Sequence, residues 1–381
     1  YIDMSIMGIG TNILGYNNDE VDASVKQTIQ NGNMSTFNCP EEVYLAEKLI
    51  KLHPWADMVK YARTGGEANA IAVRIARAFT GKDKIAICGY HGWHDWYLAA
   101  NLSSNKNLDE HLLPGLNTKG VPKNLEETIF PFNFNNYEEL ENLIYKENIK
   151  IIKMEIFRNF PPTKVFLEKL SKLVNKNNIL LIFDECTSGF RSNFGGLHLK
   201  YKINPDILIL GKALGNGYAI TAILGKKDVM NVAQETFISS TFWTERIGPT
   251  AALKTLDIME QTKSWEIIEK KGKQIRKIWK ELSKKHNLKI EILGLPALST
   301  FNFLNVNDLV FKTYLTQEML KVGILASNSI YVATTHTDGM FNKYYEKLDK
   351  IFKKLAAVQE SENVNDILDG PVKISGFKRL N

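Results

Sequence analysis

Asp206-Ile-Leu-Ile-Leu-Gly-Lys-Ala-Leu-Gly-Asn-Gly-Tyr218 is the stretch on which the fold turns. Ile207 to Leu210 is a short apolar run, the length of a strand buried on both faces. It closes on Gly211-Lys212, with Gly215 and Gly217 just beyond. A lysine at the mouth of a buried strand loses hydration, and desolvation favours the neutral amine. Such an amine can attack a carbonyl and form a Schiff base. A surface lysine capping the strand is the plainer alternative, and the stretch by itself leaves both open.

Working outward, the strand has several counterparts. Lys84-Ile-Ala-Ile-Cys88, Ile149-Lys-Ile-Ile-Lys-Met-Glu155, Ile179-Leu-Leu-Ile-Phe183 and Thr221 to Leu224 are all short apolar runs. Helical patterns lie before and between them. Asn18-Asp19-Glu20 opens one with Val21, Val25 and Ile29 in phase, and Pro40-Glu41-Glu42 opens another with Val43, Ala46 and Ile50 on one face. A third begins near Gly66 and runs through Ala70, Val73, Ile75 and Ala76 to Phe79, and Phe166 to Leu173 lies in a fourth. Near-continuous apolar strands alternating with helices predict an α/β fold around a mostly parallel central sheet with flanking helices. In such sheets the chemistry gathers at the carboxyl ends of the strands.

After Gly248-Pro249 a long helical region reaches about His286. Lys289 to Leu293, Ser299 to Phe303 and a helix from Leu309 to Val322 then predict a smaller α+β unit, closed by a helix over 343–357 and an extended tail over 363–381. The expected division is an N-terminal segment 1–39 belonging to the small domain, a large domain 40–255 and a small C-terminal domain 256–381. Tyr1 to Met7 reads as the middle of a strand, so an N-terminal piece is expected to be missing.

Composition excludes several classes. The 381 residues are 44% hydrophobic and 24% charged, ordinary for a globular protein with one large core and a smaller one. The net charge of +6 is dispersed, and Lys270-Lys271-Gly272-Lys273 sits among apolar residues at helical spacing, as a solvated helix face does. Nucleic acid is therefore not an expected partner. Cys39, Cys88 and Cys186 are far apart with no Cys-x-x-Cys, which argues for a reducing, cytoplasmic setting without disulfides or a cysteine zinc site. No apolar run has membrane-spanning length.

Polar groups gather at the strand ends. Asp184 directly follows an apolar strand, where a carboxylate is costly without a positive partner. An ion pair with Arg191, a helix cap, or a partner for the protonated ring nitrogen of an electron-sink cofactor would each satisfy it. Glu155 also ends a strand, so two carboxylates and Lys212 can converge on one crevice. Thr64-Gly65-Gly66-Glu67-Ala68 precedes a helix and offers open backbone N–H groups to an anion, although many helices begin this way and bind nothing. Gly211-Lys212 lacks the upstream glycine and the downstream Ser/Thr of a P-loop. In Tyr90-His91-Gly92-Trp93-His94-Asp95-Trp96 the two histidines are only three apart with no third ligand pattern, so no metal is expected. The aromatic residues suit a shelf for a flat ring, or simple core packing.

Taken in order, Thr64-Gly-Gly-Glu-Ala, Tyr90-His-Gly, Asp184-Glu185 with Gly189-Phe-Arg191, Gly211-Lys212 and Thr241-Phe resemble the class III pyridoxal-phosphate-dependent aminotransferases of fold type I. The resemblance covers nearly the whole chain and is closest to the glutamate-1-semialdehyde 2,1-aminomutase-like branch. It implies pyridoxal 5'-phosphate as cofactor, with Lys212 forming the Schiff base and later carrying the proton. It also implies Asp184 at the pyridine nitrogen, Tyr90 on the ring with His91 beside it, and Thr64, Gly65 and Gly66 at the phosphate. Thr241 would reach the phosphate of a neighbouring subunit, so the site would lie across a homodimer interface. Glu155, Glu185 and Cys186 would order and pack the site.

The chain departs from the family in places. Thr64-Gly65-Gly66 stands where Ser-Gly-Thr is common, Cys186 where a valine packs under the ring, and Trp243-Thr244-Glu245-Arg246 where a small Gly-Asn pair follows the threonine. That last change would put bulk and charge near the substrate entrance. After Arg246 only Arg276 and Arg379 remain to clamp an α-carboxylate. The resemblance therefore implies a transaminase taking a small amino donor and a carbonyl acceptor, such as a keto-sugar or a keto or semialdehyde acid. The aminomutase itself is the alternative, and a catalytically silent binding protein on the same fold is the alternative of another class.

Overall fold

The computed structural model describes residues 1–111, 114–157, 159–374 and 376. Its strands are β1 (Ile2–Met4), β2 (Met58–Ala62), β3 (Ile85–Cys88), β4 (Ile129–Pro131), β5 (Ile151–Met154), β6 (Leu180–Asp184), β7 (Ile207–Leu210), β8 (Thr221–Gly225), β9 (Ile290–Leu293), β10 (Leu298–Phe303), β11 (Ile324–Ala326) and β12 (Ser329–Tyr331). Seven of them form one sheet in the order β2-β8-β7-β6-β5-β3-β4. β4, β3, β5, β6 and β7 are parallel neighbours, whereas β8 runs antiparallel to both β7 and β2. The reason lies in the opening stretch. A parallel return needs a crossover of a dozen or more residues, and the chain from β7 to β8 is shorter than that. It turns instead through Lys212–Gly215, Asn216 at φ 43° and Gly217 at φ 100°. The lysine thus rides on a tight reversal.

Alternation along the strands divides the core in two. Ile85, Ile87, Ile151, Leu180, Ile182, Ile207, Ile209 and Ile223 face the helix Gly65–Thr80. Ala86, Ile152, Met154, Leu181, Phe183, Leu208, Leu210 and Leu224 belong to the larger cluster on the other face. Period two along each strand places them so, because both faces are covered. A second sheet, β9-β10-β12, lies in the C-terminal part, and β1 pairs in parallel with β11. Trp279, fully buried, donates its indole N–H to the Tyr344 hydroxyl at 3.0 Å between the long helices Ser264–Lys285 and Asp338–Val358.

Several local expectations change. The helix Pro40–Leu52 buries Glu42, Leu45 and Leu49 and exposes Val43. Glu42 folds back to accept the Cys39 N–H at 3.3 Å, and this cap fixes a helix phase that two equally periodic apolar stripes leave open. In Asp19–Gln30, Ile29 is exposed because Thr28 takes the inner position, its hydroxyl 3.0 Å from that of Thr250. The strand expected over Tyr1–Met7 ends at Met4, since Met7, Gly8, Ile9 and Gly10 all adopt positive φ. The long helical region is two helices, Ile247–Thr262 and Ser264–Lys285, broken at Lys263 with φ 50°.

Candidate active site

The sheet order reverses between β3 and β5, where β3 leads outward to β4 and β5 leads inward to β6 and β7. A crevice at the carboxyl ends is expected at such a point. Five chain segments leave the sheet on this edge. They bring Thr64-Gly65-Gly66 after β2, Tyr90-His91 after β3, Glu155 after β5, Asp184 at the end of β6 and Lys212 after β7.

Asp184 is buried and fully engaged. Its Oδ2 lies 2.9 Å from His91 Nδ1, and its Oδ1 accepts the Cys186 N–H at 3.1 Å. Burial alone would raise this carboxyl. The Lys153 charge, the His91 contact and the Cys186 N–H outweigh it and hold Asp184 well below the ordinary carboxylate range. The ion pair with Arg191 does not form. Arg191, itself buried, donates to the carbonyls of Gly10 and Thr187, which ties the left-handed N-terminal turn to the site.

Lys212 adopts φ 44°, a strained conformation for a side-chain-bearing residue. Its Nζ donates to Thr187 Oγ1 at 2.8 Å. Burial lowers its pKa, while Cys186 and Glu155 pull it partly back. This is a desolvated amine with a hydroxyl to orient it. Of the two alternatives for Lys212, it fits the reactive amine.

Thr64 caps the helix Gly65–Thr80, its hydroxyl accepting the Glu67 N–H at 3.3 Å, while Glu67 accepts the Arg63 N–H at 2.9 Å. The first N–H groups of a helix have no partner within it, so those of Gly65 and Gly66 are placed where an anion could receive them. Cys186 lies between this helix start and the lysine loop. A Cβ at Gly65 would sit 3.7 Å from its Sγ, and one at Gly211 3.2 Å. At Gly92 a Cβ would sit 2.9 Å from Gly66 Cα, with φ at 99°. Gly92→Ala is therefore expected to push the helix start outward and weaken binding of a phosphate-bearing ligand there about tenfold, read by titration of the ligand-free protein.

Tyr90 is half-buried, edge-on to Tyr97 with centroids 5.8 Å apart, and its backbone N–H donates to Glu155 Oε2 at 3.0 Å. His91 stacks on Trp96. Glu185 is fully buried but turns away from Asp184, accepting from Leu197 N at 2.7 Å and His198 N at 2.9 Å and lying 2.7 Å from His198 Nδ1. A cavity of about 290 Å³ opens beside Glu155, bordered by Gly89, His111, Phe134 and Phe160. Among the described residues no cluster of three or more His, Cys, Asp or Glu is arranged to hold a metal ion.

Thr241 is not brought into this group within one chain, because it stands exposed on a turn. The residues after it do not load an entrance with open charge. Arg246 makes a two-pronged contact with Glu41 at 2.7 and 3.1 Å, and Glu245 accepts from Ile247 N at 2.8 Å and Gly248 N at 3.3 Å. Lys60 stands 3.9 Å over the Trp243 ring. These groups staple the turn to the rest of the chain. Arg276 donates to Ser299 Oγ and to the carbonyls of Leu293 and Gly294, so it is not open to a substrate carboxylate. Arg379 lies outside the described residues.

Two neighbours of the site escape sequence reading. Thr187 contacts Lys212, which no spacing rule announces. Lys153 interrupts an apolar strand at the same parity as Glu155, and that charge in an otherwise buried run was the available signal.

A desolvated lysine, an ionised buried carboxylate and an open helix start in one crevice suit the aldehyde, ring nitrogen and phosphate of pyridoxal phosphate. On this fold they define a pyridoxal-phosphate-dependent enzyme of fold type I. The family model of class-III aminotransferases matches residues 1–355, and the chain belongs to that family. It is 30% identical over 354 residues to the 3-aminobutyryl-CoA aminotransferase of Cloacimonas acidaminovorans, covering 89% of this chain and 81% of that one. It is 31% identical over 382 residues to the glutamate-1-semialdehyde 2,1-aminomutase of Francisella philomiragia, covering 93% and 86%. Among solved structures, the pyridoxal-phosphate internal aldimine form of FumI from Sphingopyxis sp. MTA144 superposes with a TM-score of 0.86. It covers 96% of this chain and 87% of that one at 23% identity, a likeness of fold. Among the described residues no helix is long and apolar enough to cross a membrane.

Proposed function

We propose that the chain is a transaminase that moves an amino group from a small donor to a small biosynthetic keto or aldehyde acceptor, a keto-sugar or a semialdehyde acid. When bound, pyridoxal phosphate supplies an aldehyde for the amine and a ring that absorbs the electrons left by proton removal. The residues do the rest. Lys212 would hold the aldehyde through its Nζ, and the same Nζ would take and return the substrate proton. Asp184 holds the ring nitrogen, kept ionised by its own neighbours. Gly65 and Gly66 take the phosphate, with the Thr64 side chain spent on the cap. Tyr90 and Cys186 would pack against the ring, while His91 contacts Asp184 and Glu155 accepts the Tyr90 N–H.

The observation that carries this reading is a pair of lowered pKa values in one crevice, which favours a neutral amine at Lys212 and a charged carboxylate at Asp184. Arg276 being committed elsewhere supports an acceptor that lacks an α-carboxylate clamp. An aminomutase is the second reading, supported by the relatives of that name. Single-donor half-reactions separate the two. Release of a keto acid from the donor is expected. Turnover of glutamate-1-semialdehyde without a second substrate would replace the transaminase reading with the mutase.

A homodimer in a cytoplasmic setting, with Thr241 of each chain completing the other's phosphate site, also belongs to this proposal. Its support is the exposure of Phe37, Trp93, Phe237 and Phe242, large apolar side chains of the kind that a partner covers. The division at 39 and 255 belongs to it too, supported by the pairing of β1 with β11.

A further inference from the structure

Lys153 is a fully buried lysine whose Nζ has no hydrogen-bond partner among the described residues. It stands in the middle of β5, level with Ile87 of β3 on one side and Ile182 of β6 on the other, both fully buried. On β6 the next residue of the same parity as Ile182 is Asp184, and the next after Lys153 is Glu155, just past the end of β5. The face they share is the one covered by the helix Gly65–Thr80. An ammonium walled by isoleucines is costly unless a fixed negative charge answers it. Apolar packing would be met more cheaply by the isoleucine that each neighbouring strand uses.

We propose that Lys153 is a positioning residue of the cofactor site, a built-in counter-charge that shares Asp184 with the ring nitrogen of pyridoxal phosphate. In the cofactor-free protein the ammonium keeps the Asp184 carboxylate ionised and aimed before any ring arrives. In the loaded protein the carboxylate is divided between two cations, so it binds the ring-nitrogen proton less tightly than an unshared carboxylate would. The titratable groups acting on Lys153 are Asp184 on β6, Cys186 just beyond it and Glu155 after β5, while His91 after β3 acts on Asp184 and Lys212 after β7 acts on Cys186. The electrostatics of Asp184 agree, since the Lys153 charge is the largest influence opposing the effect of burial.

The test is a spectrophotometric pH titration of the bound cofactor, whose absorbance reports protonation of the imine it makes with the enzyme. Removing a cation from the site stabilises every other protonated group in it. Lys153→Met and Lys153→Ile are each expected to raise the titration midpoint by about one unit, while Lys153→Arg, which keeps the charge, stays near the wild type. A lysine that merely filled space would leave the midpoint unmoved in coloured, folded Met and Ile variants, and that result overturns the proposal. A wild-type protein that takes up no colour from pyridoxal phosphate overturns the cofactor site itself, and the inference with it.

Discussion

Lys212→Ala is expected to abolish the absorbance of the enzyme-bound imine and to lower amino transfer by about 10⁴-fold or more, because in the proposed function one group serves as both nucleophile and proton carrier. The loss should be in the half-reaction rate rather than in phosphate-dependent retention of cofactor. The helix start at Gly65-Gly66 and the Asp184 carboxylate are separate from the lysine loop and remain in place. The wild-type lysine carries a second signature. Burial lowers its pKa, so the neutral amine appears at lower pH than for a solvated lysine. The rate at which cofactor-free protein captures pyridoxal phosphate should therefore rise with pH and level off below the ordinary lysine range. Stopped-flow absorbance across pH checks this. A rate still climbing at the ordinary lysine pKa would mean that the pocket does not desolvate Lys212.

Part of this arrangement was legible from residues alone. The apolar runs that became β5, β6, β7 and β8 are unambiguous because a sheet covered on both faces tolerates few polar side chains. β2 and β4 carry weaker patterns, Met-Val-Lys-Tyr-Ala and Ile-Phe-Pro, and the sequence reading assigns neither. They are the outermost strands, so fewer neighbours constrain their residue types. Helix phase was the least legible feature. Pro40–Leu52 contains two apolar stripes, and only the Glu42 cap selects between them. For the site, Lys212 and Asp184 stood out as charges at the ends of apolar strands, which is a physical signal. The His91 contact to Asp184 and the Thr187 contact to Lys212 arise where separate segments meet in space. No periodicity encodes such meetings. Lys153 shows the same limit from the other side: the charge is visible in the strand, but its relation to Asp184 needs the parallel register of β5 with β6.

Asp184→Asn is the second substitution with a large expected effect, about 10³-fold in the half-reaction rate, because it removes a fixed charge where charge develops during proton loss. Asn keeps the shape and still accepts the Cys186 N–H, so fold and cofactor retention should change little. What changes is the state of the ring. An amide does not hold a proton on the ring nitrogen, and an unprotonated ring is a poorer electron sink. The wild-type carboxyl is held well below its usual range by Lys153, His91 and the Cys186 N–H against the opposing effect of burial. It is therefore ionised throughout the working pH range, and no loss of rate should trace to its protonation as pH falls from neutral. Burial already lowers the Lys153 pKa, and the variant removes the largest charge opposing that effect, so its neutral form is favoured further. Single-turnover kinetics with a fixed donor measure the effect. A drop of less than tenfold, with the bound-cofactor spectrum unchanged, would mean that Asp184 serves the packing of the site and not the chemistry of the ring.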